Sequence, residues 1–350
     1  MKDAETFVKD PANARDGKKK AGNGLMDRIN RNMLFADAPD HTRLRKLVNI
    51  AFTPRRVEKL TPRIQAIADD LLDRVAQRPS FDLIDEFAFL LPITVIMEML
   101  GIPEVDRDKM HDWTKAIIAP GRFGIDLKGR KRRMRAFVEY LNLTFEQRRN
   151  NPQDDLITGL VQAEADGERL SEAELSSMVA LLFVTGHETV VNLIGNGVLA
   201  LLAHPDQLAK LSANHGLIDQ AIEEMLRYDG PVETSTTRWA SRDVDLHGQQ
   251  IKRGDVVRVV MTSANRDIEV HDRPDVFDIS RPVAEQNHVA FGKGIHYCLG
   301  APLARLEGRI AILSLIIHFP NLSLVTPLDQ TEWHTGVIFR GLKSLELKTR

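Results

Sequence analysis

The sequence predicts a mainly α, helix-rich α+β fold in a single domain with small β-sheets, and three observations carry that prediction. Apolar residues recur at three- and four-residue spacing through about 55–78, 83–100, 130–149, 171–203, 205–213, 217–228 and 302–318, the period of helices with one buried face. Strand-like pieces are short and fall mostly in the second half, near 233–239, 243–247, 255–261 and 337–347. Turn formers such as Asp229-Gly230-Pro231 and Arg253-Gly254-Asp255 punctuate them. Strand and helix do not alternate, and no GxGxxG opens a helix after a strand, which argues against a Rossmann dinucleotide site.

The 350 residues would allow one large domain or two smaller ones. No internal repeat or low-complexity linker divides them, so residues 1–350 read as one unit. The hydrophobic share of 43% and charged share of 27% are those of a soluble globular protein. A net charge of −2 provides no basic field for nucleic acid and no acidic tail for disorder. The lone cysteine excludes an internal disulfide framework and suits a reducing cytoplasm. The first twenty residues are polar and charged, with no apolar signal core and no membrane anchor.

Taken in order, the stretches at 55–78, 83–100 and 130–149 are ordinary amphipathic helices. The stretch at 171–203 is different. Ser171 and Glu174 make a capping box at its start, and His204-Pro205 marks its end. Between them it is apolar nearly all round, the pattern of a buried helix, although its length alone also suits a membrane span. A polar stripe argues against the membrane. Thr185, Glu188, Thr189, Asn192 and Asn196 follow the i, i+3, i+4, i+7, i+11 spacing of one face. Gly186 removes a side chain beside them, where something bulky would approach the backbone. His187-Glu188 begins an HExxH zinc pattern, but Val191 stands where the second histidine belongs, so that reading fails. Two readings of the stripe stay open: Glu188 and Thr189 as an acid–alcohol pair that delivers protons, or a self-satisfied network in which Thr189 bonds back to its own helix.

The segment Phe291-Gly292-Lys293-Gly294-Ile295-His296-Tyr297-Cys298-Leu299-Gly300 precedes the helix at 302–318, with Pro302 in its first turn. Its three glycines let the backbone turn tightly and aim amide hydrogens inward. Cys298 then sits just before a helix N-terminus, where amides and the helix dipole stabilise a thiolate. A thiolate is what a soft metal ligand or a nucleophile needs. An inert buried thiol is the ordinary reading of a lone cysteine, and the glycine frame with His296 two residues earlier argues for function.

This loop resembles the FxxGxHxCxG signature of the cytochrome P450 family, and Thr185 to Thr189 resembles that family's (A/G)Gx(E/D)T oxygen-activating helix. Glu224-Met225-Leu226-Arg227 fits its ExxR motif. Phe277 to Pro282 (FDISRP) looks like the segment that supplies a second arginine, Arg281, and His41-Thr42-Arg43-Leu44-Arg45 resembles the start of its propionate-contacting helix. The likeness runs from about residue 1 to Leu345, in the style of soluble bacterial members.

The resemblance implies the cytochrome P450 fold and haem b (iron protoporphyrin IX) as cofactor. It implies Cys298 as metal ligand, pushing electron density onto iron to favour O–O cleavage. His41, Arg45, Arg238 and His296 would hold the haem propionates by charge-assisted bonds. Glu188 and Thr189 would deliver protons to the oxygen under activation. Glu224, Arg227 and Arg281 would form a buried ion triad that supports the cysteine loop. Electrons would pass from NAD(P)H through a ferredoxin reductase to a ferredoxin or flavodoxin, docked near Arg55, Arg56, Lys46 and Lys293. The protein would work as a cytoplasmic monomer without nucleic-acid or membrane partners. The pocket, expected from about 22–35, Val179 to Thr185, Val232 to Ser235 and Val337 to Phe339, suits a small hydrophobic or amphipathic compound such as a secondary metabolite, terpenoid or fatty acid.

Two departures from the family pattern stand out. Thr185 occupies a position usually held by Ala or Gly, where its hydroxyl would join the proton relay or narrow the pocket. The segment from Asp3 to Pro11 looks like a helix that family members place after a first helix and two strands. Lacking those strands, the sheet formed by 255–261 would expose an edge, and this chain would be less stable than a longer one. A haem-binding protein without turnover, a sensor or a truncated remnant, is the alternative to an enzyme. The acid–alcohol pair favours the enzyme and speaks against peroxide-driven oxidation.

Overall fold

Apolar spacing becomes helix almost stretch for stretch in a computed structural model of the chain, which describes residues 6–14, 24–118, 125–282 and 287–350. The helices that build the site are α1 (Asp40–Ala51), α2 (Thr61–Val75), α3 (Leu90–Leu100), α4 (Glu172–Ala203), α5 (Ile218–Asp229) and α6 (Ala301–His318). α2 buries Ile64, Ile67, Ala68, Leu71, Leu72 and Val75, one face at helical spacing. It lies along α6, with Gln65 Nε2 donating to Ser314 Oγ at 2.8 Å. The periodic run at 55–78 is split in two. Pro54–Lys59 is a separate helix, because Pro62 in the first turn of α2 has no N–H with which to continue one. The run at 83–100 opens on a π-helical turn, Ile84–Ala88, before α3, which ends at Gly101 in the left-handed region (φ 73°).

The capping box of α4 forms as expected. Ser171 Oγ accepts from the Glu174 N–H at 3.4 Å, and the Glu174 carboxylate accepts from the Ser171 N–H at 2.9 Å. α4 is long and apolar enough to cross a bilayer, yet 78% of its most apolar window is buried inside the protein, so it is the core helix. It packs on α3, α5 and α6. The packing is close: a Cβ on Gly197 would lie 2.7 Å from the Met225 sulfur, and one on Gly308 would lie 3.0 Å from Leu193. Forcing those helices apart would cost roughly 1–3 kcal/mol.

Strands are short, as expected. β1 (Phe7–Val8), β3 (Arg238–Ala240) and β4 (Val256–Val257) form an antiparallel sheet in the order β1-β3-β4, while β2 (Ser80–Asp82), β6 (Glu346–Lys348) and β5 (Ser323–Leu324) form a second in the order β2-β6-β5. Two hairpin ribbons, Glu164–Ala165 with Glu168–Arg169 and Val244–Leu246 with Gln249–Ile251, lie apart.

The first sheet corrects one expectation. The segment from Asp3 to Pro11 does not form the expected helix over its described part. Phe7 and Val8 pair with Ala240 and Trp239, and helix begins only at Pro11, where Asp10 Oδ1 accepts from the Ala12 N–H at 3.0 Å. Residues that suit a strand precede an acidic turn residue and a proline suited to a first helical turn, so the boundary falls at residue 11. Residues 1–5 lie outside the described residues. β4 does present an edge: no further strand covers it among the described residues, and Val256 is 59% exposed. The expected strand at 337–347 reduces to bridges, Val232 with Phe339 and Trp333 with Leu342, followed by β6. The helix Arg107–Ile118 and the shorter Leu156–Gln162 were not expected from apolar periodicity.

Candidate functional site

A cavity of about 280 Å³ lies between α4 and the loop that leads into α6. Apolar groups from Met33, Leu34, Ile96, Leu181, Leu182, Met261 and Leu303 dominate its wall.

The cysteine loop closes one side. Gly292 and Gly294 take φ values of 72° and 75°, a region a side chain would strain, and these turns bring the Cys298 N–H onto the Phe291 carbonyl at 2.9 Å. Pro302 sits in the first turn of α6. Cys298 opens to the cavity on one side and is walled by protein on the others. Burial pushes its thiol above the ordinary range, against the backbone amides of Gly300 and Ala301 and the charges of Arg45 and Arg305. The amides act as the helix start predicts, and desolvation works against them. A cationic iron would reverse that balance, since metal coordination deprotonates a thiol outright.

Beside the cysteine stands a nest of basic side chains. α1 is amphipathic, and His41 and Arg45, four residues apart, both reach the cavity from it. β3 contributes Arg238, whose guanidinium donates to the Phe7 carbonyl at 3.3 Å. The cysteine loop contributes His296, with its ring 4.4 Å from that of His41. Arg45 donates to the Tyr297 carbonyl at 2.9 Å. The structure therefore brings together all four residues expected at the propionates.

It adds a fifth that sequence reasoning missed. Lys9 is buried against the Thr236 hydroxyl and faces the same cavity, its backbone N–H held by Asp37 at 2.8 Å. Burial, then Arg238, lowers its pKa to about 8. Burial, then His41 and its cationic neighbours, pulls His296 down to about 3. Burial lowers His41, Arg45 and Arg238 as well. Arg238 Nε and His41 Nδ1 are buried without a hydrogen-bond partner. Other atoms of both groups line the cavity, where a dianion would pair with them. An open thiol, an apolar wall and this nest fit a haem with two propionates.

The polar stripe of α4 divides. Thr185, Gly186 and Thr189 line the cavity. Both hydroxyls bond back along the helix, Thr185 Oγ1 to the Leu181 carbonyl at 2.7 Å and Thr189 Oγ1 to the Thr185 carbonyl at 2.9 Å. Glu188, half-buried, is not among the lining residues. His187 points the other way, buried between Phe183 and Phe89, with Nδ1 2.8 Å from the Phe183 carbonyl. No cluster of three metal-ligating side chains occurs among the described residues. Asn192 and Asn196 serve the fold: Asn196 Nδ2 donates to the Asp229 and Arg340 carbonyls, each at 3.1 Å, and Asn192 packs where Gly341 leaves room.

The ion triad forms as expected. Arg227 binds Glu224 in a fork at 2.7 and 2.8 Å, and Arg281 Nε lies 3.3 Å from Glu224. Arg227 also donates to the Asn265 carbonyl at 3.1 Å, and Asn265 Oδ1 accepts from the Val289 N–H at 2.7 Å. The triad thus reaches the start of the cysteine loop through one asparagine. The expected pocket wall holds for Met33, Leu34, Leu181, Leu182, Thr185, Val232 and Ser235. It fails for Val337 to Phe339: Val337 is 56% exposed, because that segment bridges to Val232 instead of facing inward. Residues 22 and 23 lie outside the described residues. Of the cations expected to greet a redox partner, Lys46 and Arg56 are already paired with Asp166 and Asp154.

Comparison with known proteins agrees with this geometry. The family model described as Cytochrome P450 matches residues 122–343. Cytochrome P450 107B1 of Saccharopolyspora erythraea is 49% identical over 325 residues, covering 93% of this chain and 79% of that protein. The solved structure of PksS, the cytochrome P450 of the Bacillus subtilis 168 bacillaene polyketide synthase, superposes with a TM-score of 0.91 at 41% identity, over 98% of this chain and 86% of that one. The myxobacterial cytochrome P450 CYP267B1, solved with myristic acid, gives a TM-score of 0.89 at 40% identity, over 99% of this chain and 86% of that one. The chain therefore belongs to the cytochrome P450 family, with that family's fold, its haem b cofactor and its oxygenase chemistry.

Proposed function

We propose that this chain is a cytoplasmic, monomeric monooxygenase that inserts one atom of dioxygen into a small hydrophobic or amphipathic compound. Electrons come from NAD(P)H through a ferredoxin reductase and a ferredoxin or flavodoxin. The observation that carries this reading is the meeting of the lone cysteine, an apolar cavity and a cluster of basic side chains on its wall. Cys298 would hold the haem iron through its thiolate, and His41, Arg45, Arg238 and His296 would hold the propionates. Bound haem supplies the redox chemistry, and the thiolate's electron density favours O–O cleavage.

The protein's own groups manage protons and position. The Thr189 hydroxyl spends its hydrogen on the Thr185 carbonyl and keeps lone pairs that accept from a cavity water. Rotation of that hydroxyl then passes a proton on, a general-acid role set by geometry. Glu188, the preceding residue and outside the cavity lining, would resupply it through water. Substrate is held by apolar contact, with Thr185, Ser235 and Thr236 as the hydroxyls that orient it. A polyketide-like secondary metabolite, a terpenoid or a fatty acid suits such a wall, and the polyketide synthase and myristic acid in the relatives' names support that range.

The test is turnover of haem-loaded protein with surrogate ferredoxin partners under isotopically heavy dioxygen, offered myristic acid and a macrocyclic lactone. One heavy oxygen atom in the product is expected. Product oxygen drawn from water, or reductant consumption without product from any compound that perturbs the haem spectrum, contradicts the reading.

A further inference from the structure

Consecutive glutamates on α5 point to opposite jobs. Glu224 belongs to the buried triad, whereas Glu223 reaches the outer side of the cysteine loop. There it grips Arg305 of α6 in a fork, at 2.6 and 2.7 Å, and lies 3.1 Å from His288 Nε2. Burial would raise the Glu223 carboxyl, but Arg305 and His288 outweigh it and hold the group at about 2.

Arg305 is thereby fixed over the cysteine loop. Its guanidinium lies 4.4 Å from the centre of the Phe291 ring and donates to the Tyr297 hydroxyl at 3.3 Å. Phe291 carries the carbonyl that receives the Cys298 N–H, and Tyr297 is the residue before the cysteine. One cation therefore touches the loop at both ends of the turn that presents the sulfur.

We propose that Arg305, held by Glu223, is a positioning residue for the Cys298 thiolate: it pins the loop through Phe291 and Tyr297 and brings its positive charge to the loop that carries the sulfur. The proposal rests on Cys298 being the axial ligand. Reduction adds negative charge to the haem–thiolate unit, so a nearby cation favours the reduced form. Arginine suits the place because its planar fork binds a carboxylate with two bonds while its face stacks on a ring; lysine supplies charge alone.

The experiment compares wild type, Arg305→Ala, Arg305→Lys and Glu223→Gln as haem-loaded proteins without any redox partner. It reads the ferric/ferrous midpoint potential and the fraction of the ferrous–CO complex that keeps the thiolate-type Soret band. Arg305→Ala should shift the equilibrium toward ferric by about tenfold, about 59 mV for one electron, and should lose the thiolate band faster than wild type. Arg305→Lys should recover the potential but not the persistence of the band. Glu223→Gln, which frees Arg305 without removing it, should show a smaller loss of both. Should Arg305→Ala fail to take up haem, the other two variants carry the same comparison. A lowered unfolding temperature with unchanged potential and unchanged band persistence would make Arg305 merely structural and overturn the proposal. Absence of the thiolate band in wild type would instead overturn the axial role of Cys298 itself.

Discussion

Thr189 shows what one side chain does here and how far the sequence reveals it. Its spacing from Thr185 and Gly186 put it on the cavity face, and there it lies, but with its hydrogen bonded back to the Thr185 carbonyl. The self-satisfied reading of the stripe is the arrangement seen, and the proposed function has the same hydroxyl released to a water during turnover. Thr189→Ala should leave haem content and substrate binding intact while product per NAD(P)H falls several-fold and peroxide appears. Peroxide release and product yield measured together check this, and unchanged coupling would transfer the relay to Thr185. Cys298 and its glycines were legible because the whole device fits in ten consecutive residues. Lys9 was not, since its partner Thr236 lies 227 positions away and its segment reads locally as helix. Likewise, periodicity put Asn192 and Asn196 on the threonine face but could not reveal that the chain near Asp229 and Arg340 covers that end of it.

At the scale of elements, α5 is the support on which the cysteine loop rests. Apolar spacing located it, and the Glu224–Arg227 pair one turn apart follows from i, i+3 geometry. Its reach to Asn265, Val289 and Arg281 depends on loops whose course no local pattern encodes. Arg281→Ala would remove one cation from beside a fully buried carboxylate. Stranding charge in this way should cost roughly 3–5 kcal/mol, less whatever Arg227 still screens. Denaturant unfolding of the haem-loaded protein measures it, and a loss below roughly 1 kcal/mol would show that Arg227 alone satisfies Glu224. The short strands were the least legible elements. Their pairing joins residues 7–8 with 239–240, and register of that kind is set by contact across the whole chain.

For the whole molecule, helical composition and the order of motifs were enough to anticipate the architecture, because a buried α4 flanked by amphipathic helices leaves few ways to pack. Charge on the cysteine side sets the expectation for electron delivery. Lys293 is exposed in the cysteine loop and Arg55 is exposed on the helix after α1, and neither forms an ion pair among the described residues, unlike Lys46 and Arg56. An acidic redox partner steered by such charges should reduce the protein more slowly as ionic strength rises. Stopped-flow reduction across a salt series, repeated with Arg55→Glu and Lys293→Glu combined, reads this directly; a salt-independent rate would move docking to another face. Every proposed role at this site depends on the sulfur of Cys298, and the ferrous–CO spectrum of Cys298→Ser tests that dependence most directly. An alcohol is a poor electron donor to iron, so the thiolate-type Soret band of the wild-type protein should vanish in the variant, and a variant that retained the band would contradict the account.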